Sequence, residues 1–254
     1  MQRELGSTLY RRGRSALSIL GREALRIVLP SWCACCDREL PWRDRTASCC
    51  NRCWATLPRI EVATCASCSQ PSPVRDADEY LCLACRVDPL PVEWCLAWGE
   101  YRGGLERLLH ALKFQRHDFL DEALSALLEE VLRARGDLLF DAIVPVPMPP
   151  ARERRRGYNQ AELLARALSR RVGVVCEIET LTRAEDGATQ STLPKRERAA
   201  NVRHAFSATP AVGGRSILLV DDISTTGETL RACALALQDA GASRICAAVV
   251  AKAT

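Results

Sequence analysis

Apolar positions recur every three to four residues in several stretches of the chain, with short unbroken apolar runs between them. That alternation predicts helices laid over a buried sheet. Residues 104–113 place Leu105, Leu108, Leu109 and Leu112 on one helical face. A second helix is expected over 119–134, and a third after Gln160 with Leu163, Leu164, Ala167 and Leu168 inward. Between the last two, 141–147 predicts a short buried strand that must leave its sheet where Pro145 and Pro147 remove backbone donors. A further strand is expected at 174–178. The run 217–220, a helix to about Ala240 ended by Gly241, and a strand at 245–250 complete a βαβ pattern. The polar stretch from roughly 183 to 203 carries Gln190, Ser191, Lys195, Arg196, Arg198, Asn201 and Arg203 and no apolar stripe until Phe206. Its length fits a lid over a site, or a solvated surface insertion.

The most informative string is 217–229, ILLVDDISTTGET. Four apolar residues run into two carboxylates, Asp221 and Asp222, then into a small hydroxyl-rich turn and a helix start. Loop N–H groups, hydroxyls and a helix N-terminus favour an anion there, and paired acids can hold sugar hydroxyls or a metal. A plain strand ending in a polar turn is the alternative for a bare strand followed by two acids. No GxxxxGK[ST] and no GxGxxG precedes the helix, so neither a P-loop nor a dinucleotide fingerprint is present. The full string resembles the phosphoribosyl-pyrophosphate (PRPP) motif of type I phosphoribosyltransferases. The basic stretch 152–160, RERRRGYNQ, reads as a loop at the end of the earlier strand, opening a helix, and is a second candidate anion site. In an open α/β sheet both would line the carboxyl edge, where ligands bind.

The N-terminal part has a different chemistry. Of 14 cysteines, ten lie between 33 and 85, and four Cys-x-x-Cys pairs stand out: Cys33/Cys36, Cys50/Cys53, Cys65/Cys68 and Cys82/Cys85. The same thirteen-residue gap separates the first pair from the second and the third from the fourth, an internal duplication. Two thiolate knuckles can wrap a tetrahedral Zn²⁺, giving one or two structural ions, with sequential or interleaved pairing both open. A disulfide framework would need an oxidising compartment, to which nothing points, and a redox Cys-x-x-Cys would normally occur singly. Cys35 and Cys49 fall out of phase and read as bystanders. Cys95, Cys176, Cys233 and Cys246 sit in apolar contexts and read as core residues. Trp32, Trp42 and Trp54, with Arg38, Arg43, Arg45, Arg52 and Arg59, could stack single-stranded DNA bases or form the module's own core.

Composition changes the picture little. The hydrophobic fraction of 48% and charged fraction of 26% are those of an ordinary globular protein, and a net charge of +4 does not by itself argue for nucleic acid. Lys113, Lys195 and Lys252 are the only lysines, so arginine carries the positive charge. No apolar run is long enough for a transmembrane helix. Residues 1–29 read as a basic amphipathic helix without a secretory h-region, suited to covering its own protein, to a partner, or to peripheral membrane contact. A cytoplasmic location is expected.

RRGYNQAELLARAL, the pattern Gln190-x-x-Leu193, Arg196, Asn201-Val-Arg203 and Ala205-Phe206, and VDDISTTGET, in that order behind duplicated cysteine pairs, resemble the ComF/GntX family over about residues 30–252. Tyr158 and Ser224 depart mildly from its pattern without removing a phosphate ligand. The resemblance implies an α/β fold: a type I phosphoribosyltransferase-like parallel sheet flanked by helices, behind a small Cys-rich zinc module. The implied organisation is a helical segment at 1–29, a double zinc-ribbon-like module at 30–90 and a phosphoribosyltransferase-like domain at 91–254, joined by a Pro-rich connector near 86–94. It further implies PRPP, with the 5-phosphate on Thr225, Thr226, Gly227, Glu228 and Thr229, and the ribose hydroxyls on Asp221 and Asp222. Pyrophosphate would meet Arg155, Arg156 or Lys195, with Mg²⁺ bridging. The metal ligands would be Cys33, Cys36, Cys50, Cys53, Cys65, Cys68, Cys82 and Cys85. Some family members are associated with DNA uptake in natural transformation, so single-stranded DNA and DNA-uptake or recombination proteins are expected partners, and an adaptor role without turnover is the alternative to transfer.

Overall fold

The computed structural model of the chain describes residues 32–40, 48–74, 80–114, 120–136, 138–184 and 205–253. The N-terminal segment 1–29, Trp42, Arg43, Arg45, the 190–203 motif and Lys195 lie outside the described residues. By its internal contacts the chain divides into two units, Met1–Thr56 and Leu57–Thr254. The division falls between the two cysteine groups.

In the first unit, the knuckle of Cys33 and Cys36 is closed by Cys33 N–H donating to the Arg38 carbonyl at 2.8 Å and a Trp32–Glu39 bridge. The helix α1 (Asn51–Ala55) follows Cys50 and carries Cys53. In the second unit the duplicate repeats these features position for position. Cys65 N–H donates to the Gln70 carbonyl at 2.8 Å, Thr64 bridges Pro71, and α2 (Leu83–Val87) follows Cys82 and carries Cys85. Even the left-handed residue is repeated, Asp37 at φ 54° and Ser69 at φ 61°.

The rest of the second unit is an α/β sandwich. Its elements are β1 (Cys95–Glu100), α3 (Gly103–Phe114), α4 (Leu120–Arg135), β2 (Ala142–Pro145), α5 (Pro150–Arg156), α6 (Gln160–Val172), β3 (Leu181–Arg183), β4 (Phe206–Ala208), β5 (Ser216–Ser224), α7 (Glu228–Asp239) and β6 (Arg244–Lys252). Among the described residues, four strands form a parallel sheet in the order β1-β6-β5-β2, with β5 and β6 central and their apolar runs 217–220 and 245–251 buried, as a sheet covered on both faces requires. One face packs Ile217, Leu219, Ala247 and Val249 with Leu230, Cys233 and Leu237 of α7, and the second cysteine group belongs to this same core. Helices α4 and α6 cover the other strand residues, Leu124, Leu128, Leu164 and Leu168 being fully buried. The antiparallel pair β3–β4 packs on α7.

Edge strand β1 is closed by chain that precedes it. Glu100 N–H donates to the Pro58 carbonyl at 2.8 Å, and Ser69 Oγ bridges the Cys95 carbonyl and the Ala97 N–H at 3.0 and 2.9 Å. Gly99 is required at this closure, since a Cβ there would lie 2.6 Å from the Pro58 carbonyl oxygen.

Three expectations need correction. No strand forms at 174–178; Cys176 makes one isolated parallel bridge to Ile143, because β2 is only four residues long and offers little edge to pair. Pro145 stays in register opposite Val220, since a terminal strand residue on the outer edge loses nothing by lacking a donor. The basic stretch is no loop: 150–156 is helical, started by Pro150 and stopped by Gly157 at φ 89°.

Candidate functional site

Strand β5 runs four residues beyond its apolar stretch, so Asp221 and Asp222 are strand residues. The pleat sends them to opposite faces. Asp222 is buried, and its Oδ2 lies 2.8 Å from the Lys113 Nζ at the end of α3. Asp221 turns toward the α7 face, where its charge acts on Cys233. Burial first, then the neighbouring Asp222 charge, push the Asp221 carboxyl well above the ordinary carboxylate range. Such a carboxyl resists ionisation until a cation or a hydroxyl-bearing ligand arrives to pay its desolvation.

The turn after β5 is built as an anion cradle. Thr225, Thr226 and Glu228 are exposed while Gly227 is buried at φ 85°, a left-handed conformation that a side chain would strain. The twelve-residue helix α7 then presents its N-terminus to the turn. Thr226 Oγ1 accepts from the Glu228 N–H at 3.5 Å, and Lys252 donates its ammonium to the Thr225 carbonyl. Lys252 is 2% exposed, opposite Ser224 in the sheet. A lysine ending a strand carries no pattern signal, so its role at the turn follows from the fold alone.

Beside the acids is an open pocket of about 350 Å³ bounded by Lys113, Val146, Pro147, Arg152, Arg156, Asn159, Gln160, Arg183, Asp221, Asp222 and Thr229. Of the residues expected to hold PRPP, Asp221, Asp222, Thr229 and Arg156 meet there. Thr225, Thr226, Gly227 and Glu228 form the adjoining turn. Arg155 is exposed and off the pocket; helical spacing puts Arg152, four residues before Arg156, on the pocket face instead. The RRRGYNQ segment does structural work. Tyr158 donates its hydroxyl to the Leu112 carbonyl beside Lys113. Asn159 caps α6 by accepting from the Ala161 N–H at 3.1 Å and donates to the Val146 carbonyl at 2.9 Å. Gln160 is 4% exposed, and its Nε2 finds no hydrogen-bond partner among the described residues. A buried donor left open on a pocket wall is a place for a ligand acceptor.

The cysteines pair sequentially. The sulfurs of Cys33, Cys36, Cys50 and Cys53 lie within 4.8 Å of one another, and so do those of Cys65, Cys68, Cys82 and Cys85. The separations Cys36–Cys50 of 3.9 Å and Cys68–Cys82 of 3.7 Å are those of a tetrahedral edge around an ion bound at about 2.3 Å. Cys33 Sγ accepts from the Cys35 and Cys50 N–H groups at 3.4 and 3.3 Å. Burial opposes the Cys33 thiolate, but these donors prevail and lower its pKa to about 6. Both groups can therefore hold a metal ion. Cys35 and Cys49 are less idle than their phase suggested: their sulfurs are 3.7 Å apart, and with Cys33 they form a third buried sulfur group.

A parallel sheet whose central strand ends in paired acids, a hydroxyl turn and a helix N-terminus defines a phosphoribosyltransferase-type domain, and the family model "Phosphoribosyl transferase domain" matches residues 154–254. The chain is 34% identical over 223 residues to "DNA utilization protein YhgH" of Salmonella typhi, covering 86% of this chain and 96% of that protein. It is 34% identical over 154 residues to "Competence protein F" of Haemophilus influenzae, covering 58% and 67%. It is 27% identical over 225 residues to "Competence protein ComFC" of Bacillus subtilis, covering 82% and 89%. The chain belongs to the ComF family of phosphoribosyltransferase-domain proteins. Among the described residues, no helix is long and apolar enough to cross a membrane.

Proposed function

We propose that this protein binds PRPP with Mg²⁺ at the carboxyl edge of its sheet and transfers the phosphoribosyl group to an acceptor. The observation that carries this reading is the junction of Asp221 and Asp222 with the Thr225–Thr229 turn beside a pocket lined by Lys113, Arg152, Arg156 and Arg183. The 5-phosphate is assigned to the turn N–H groups and the Thr225, Thr226 and Thr229 hydroxyls, Gly227 and Glu228 contributing backbone. The ribose 2- and 3-hydroxyls donate to Asp221 and Asp222. Pyrophosphate lies against Arg156 and Arg152, with Lys195 assigned to the same charge. Mg²⁺ held with PRPP beside Asp221 and Asp222 would supply neutralising charge for the pyrophosphate. In transfer, the bond from ribose C1 to pyrophosphate oxygen breaks as an acceptor lone pair bonds C1, and the acceptor's proton passes to solvent or to a pocket base. The chain's part is positioning and charge complementarity.

Zn²⁺ is the metal assigned to the two cysteine groups, one ion each, in a structural role. The double zinc-ribbon-like module at 30–90 and the transferase-like domain at 91–254 remain the proposed organisation, in the cytoplasm. The relatives' names favour a second reading, a PRPP- or nucleotide-binding adaptor that handles single-stranded DNA with DNA-uptake or recombination proteins and turns nothing over. Pyrophosphate release from PRPP across a panel of nitrogen acceptors separates the two. Release that Asp221→Ala abolishes supports transfer. No release, with single-stranded DNA binding that Asp221→Ala leaves intact, supports the adaptor.

A further inference from the structure

The second cysteine group is fastened to the phosphate turn by the three residues that follow its helix. Leu90 donates its N–H to Ser67 Oγ at 2.9 Å, and Ser67 lies between Cys65 and Cys68. The Leu90 side chain is 5% exposed and lies against the turn; a Cβ at Gly227 would sit 3.1 Å from its Cδ2. On the polar side Arg231, in the first turn of α7, donates to Asp88 Oδ1 at 3.0 Å, the Pro89 carbonyl at 2.9 Å and the Asp88 carbonyl at 2.8 Å. One short segment therefore holds both the floor of the turn and the start of the helix that follows it. That segment hangs from α2, five residues long and too short to be stable alone. A metal on Cys65, Cys68, Cys82 and Cys85 would supply the missing fold energy.

We propose that the Cys65–Cys68–Cys82–Cys85 site sets the conformation of the phosphate turn, with Leu90 and Arg231 as the positioning residues that transmit it. Metal occupancy there then governs affinity for the sugar-phosphate ligand, which rests on the PRPP reading above. The left-handed Gly227 is what the clamp holds: with Leu90 in place the turn has one packing, and without it the turn N–H groups are no longer preorganised for an anion.

The test uses the full zinc-loaded chain and reads hydrogen exchange at amides 225–231 without ligand, PRPP affinity, and metal content. Leu90→Ala is expected to keep its metal, to speed exchange in the turn at least tenfold and to weaken PRPP binding by a similar factor. Cys68→Ser is expected to do the same with loss of one ion, while Cys36→Ser, which removes a ligand of the other group, leaves the turn at the wild-type rate. Should Leu90→Ala fail to fold, Arg231→Gln cuts the polar half of the clamp and is expected to give the same signature. Wild-type exchange in both Leu90→Ala and Arg231→Gln, or an equal effect from Cys36→Ser, overturns the proposal. If the wild type binds no PRPP but its turn still responds to Cys68→Ser, the PRPP reading fails and the clamp stands.

Discussion

Lys113 Nζ lies 2.8 Å from Asp222 Oδ2, tying the last turn of α3 to the end of the central strand. The pair is mostly out of solvent, with side-chain exposures of 24% and 11%. Lys113→Ala would leave the Asp222 charge without its partner, at a cost of about 1–3 kcal/mol. The variant is expected to melt lower and to bind PRPP about tenfold more weakly, because a pocket cation is lost as well. Thermal unfolding and titration check the two effects separately.

Asp221 is raised by burial and by Asp222, so the folded state holds its proton more tightly than the unfolded chain, whose aspartates titrate near 3.9. The sign follows: its contribution to stability is fully present below about pH 4 and is lost as pH rises through the folded value. Asp221→Asn should therefore be more stable than the wild type at pH 7, with the difference shrinking as pH falls toward 4. Urea unfolding across that range is the check. A site that destabilises its own fold in this way is held for binding.

Gln160 gives a second test of the same kind. Its buried Nε2 has no partner among the described residues, which already costs stability. Gln160→Leu is expected to melt at or above the wild-type temperature while PRPP affinity falls about tenfold, about 1.4 kcal/mol. A purely structural glutamine would show the reverse, a lower melting point with unchanged affinity.

The two cysteine groups are separate sulfur clusters, so their ions should be lost separately. Cys36→Ser and Cys68→Ser are each expected to reduce zinc from two ions per chain to one, and the double variant to none. Elemental analysis of the purified chain reads this directly. If each single variant lost both ions, the clusters would not be independent.

The helices and the two central strands were legible because burial on a sheet leaves an apolar stripe, and 104–113, 119–134 and 217–220 carry it plainly. The duplicated cysteines were legible from spacing alone, but their sequential pairing was not, since spacing fits either wrapping. The strand expected at 174–178 failed because its residues look extended while the edge it would join is too short. Pocket membership was read less well. Arg155 and Arg156 are equivalent in composition, and only the helix from 150 to 156 turns one inward and replaces the other with Arg152. Lys113, Gln160 and Lys252 come to the site from three distant elements, a relationship fixed by topology, to which local pattern is blind.

Calorimetric titration of the zinc-loaded chain with PRPP, with and without Mg²⁺, and repeated on Asp222→Asn and Thr226→Ala, bears most directly on the assigned site. Saturable binding of one PRPP per chain, strengthened by Mg²⁺ and weakened at least tenfold in each variant, is the expected result. No binding by the wild type, or binding that both variants retain at full strength, would contradict it.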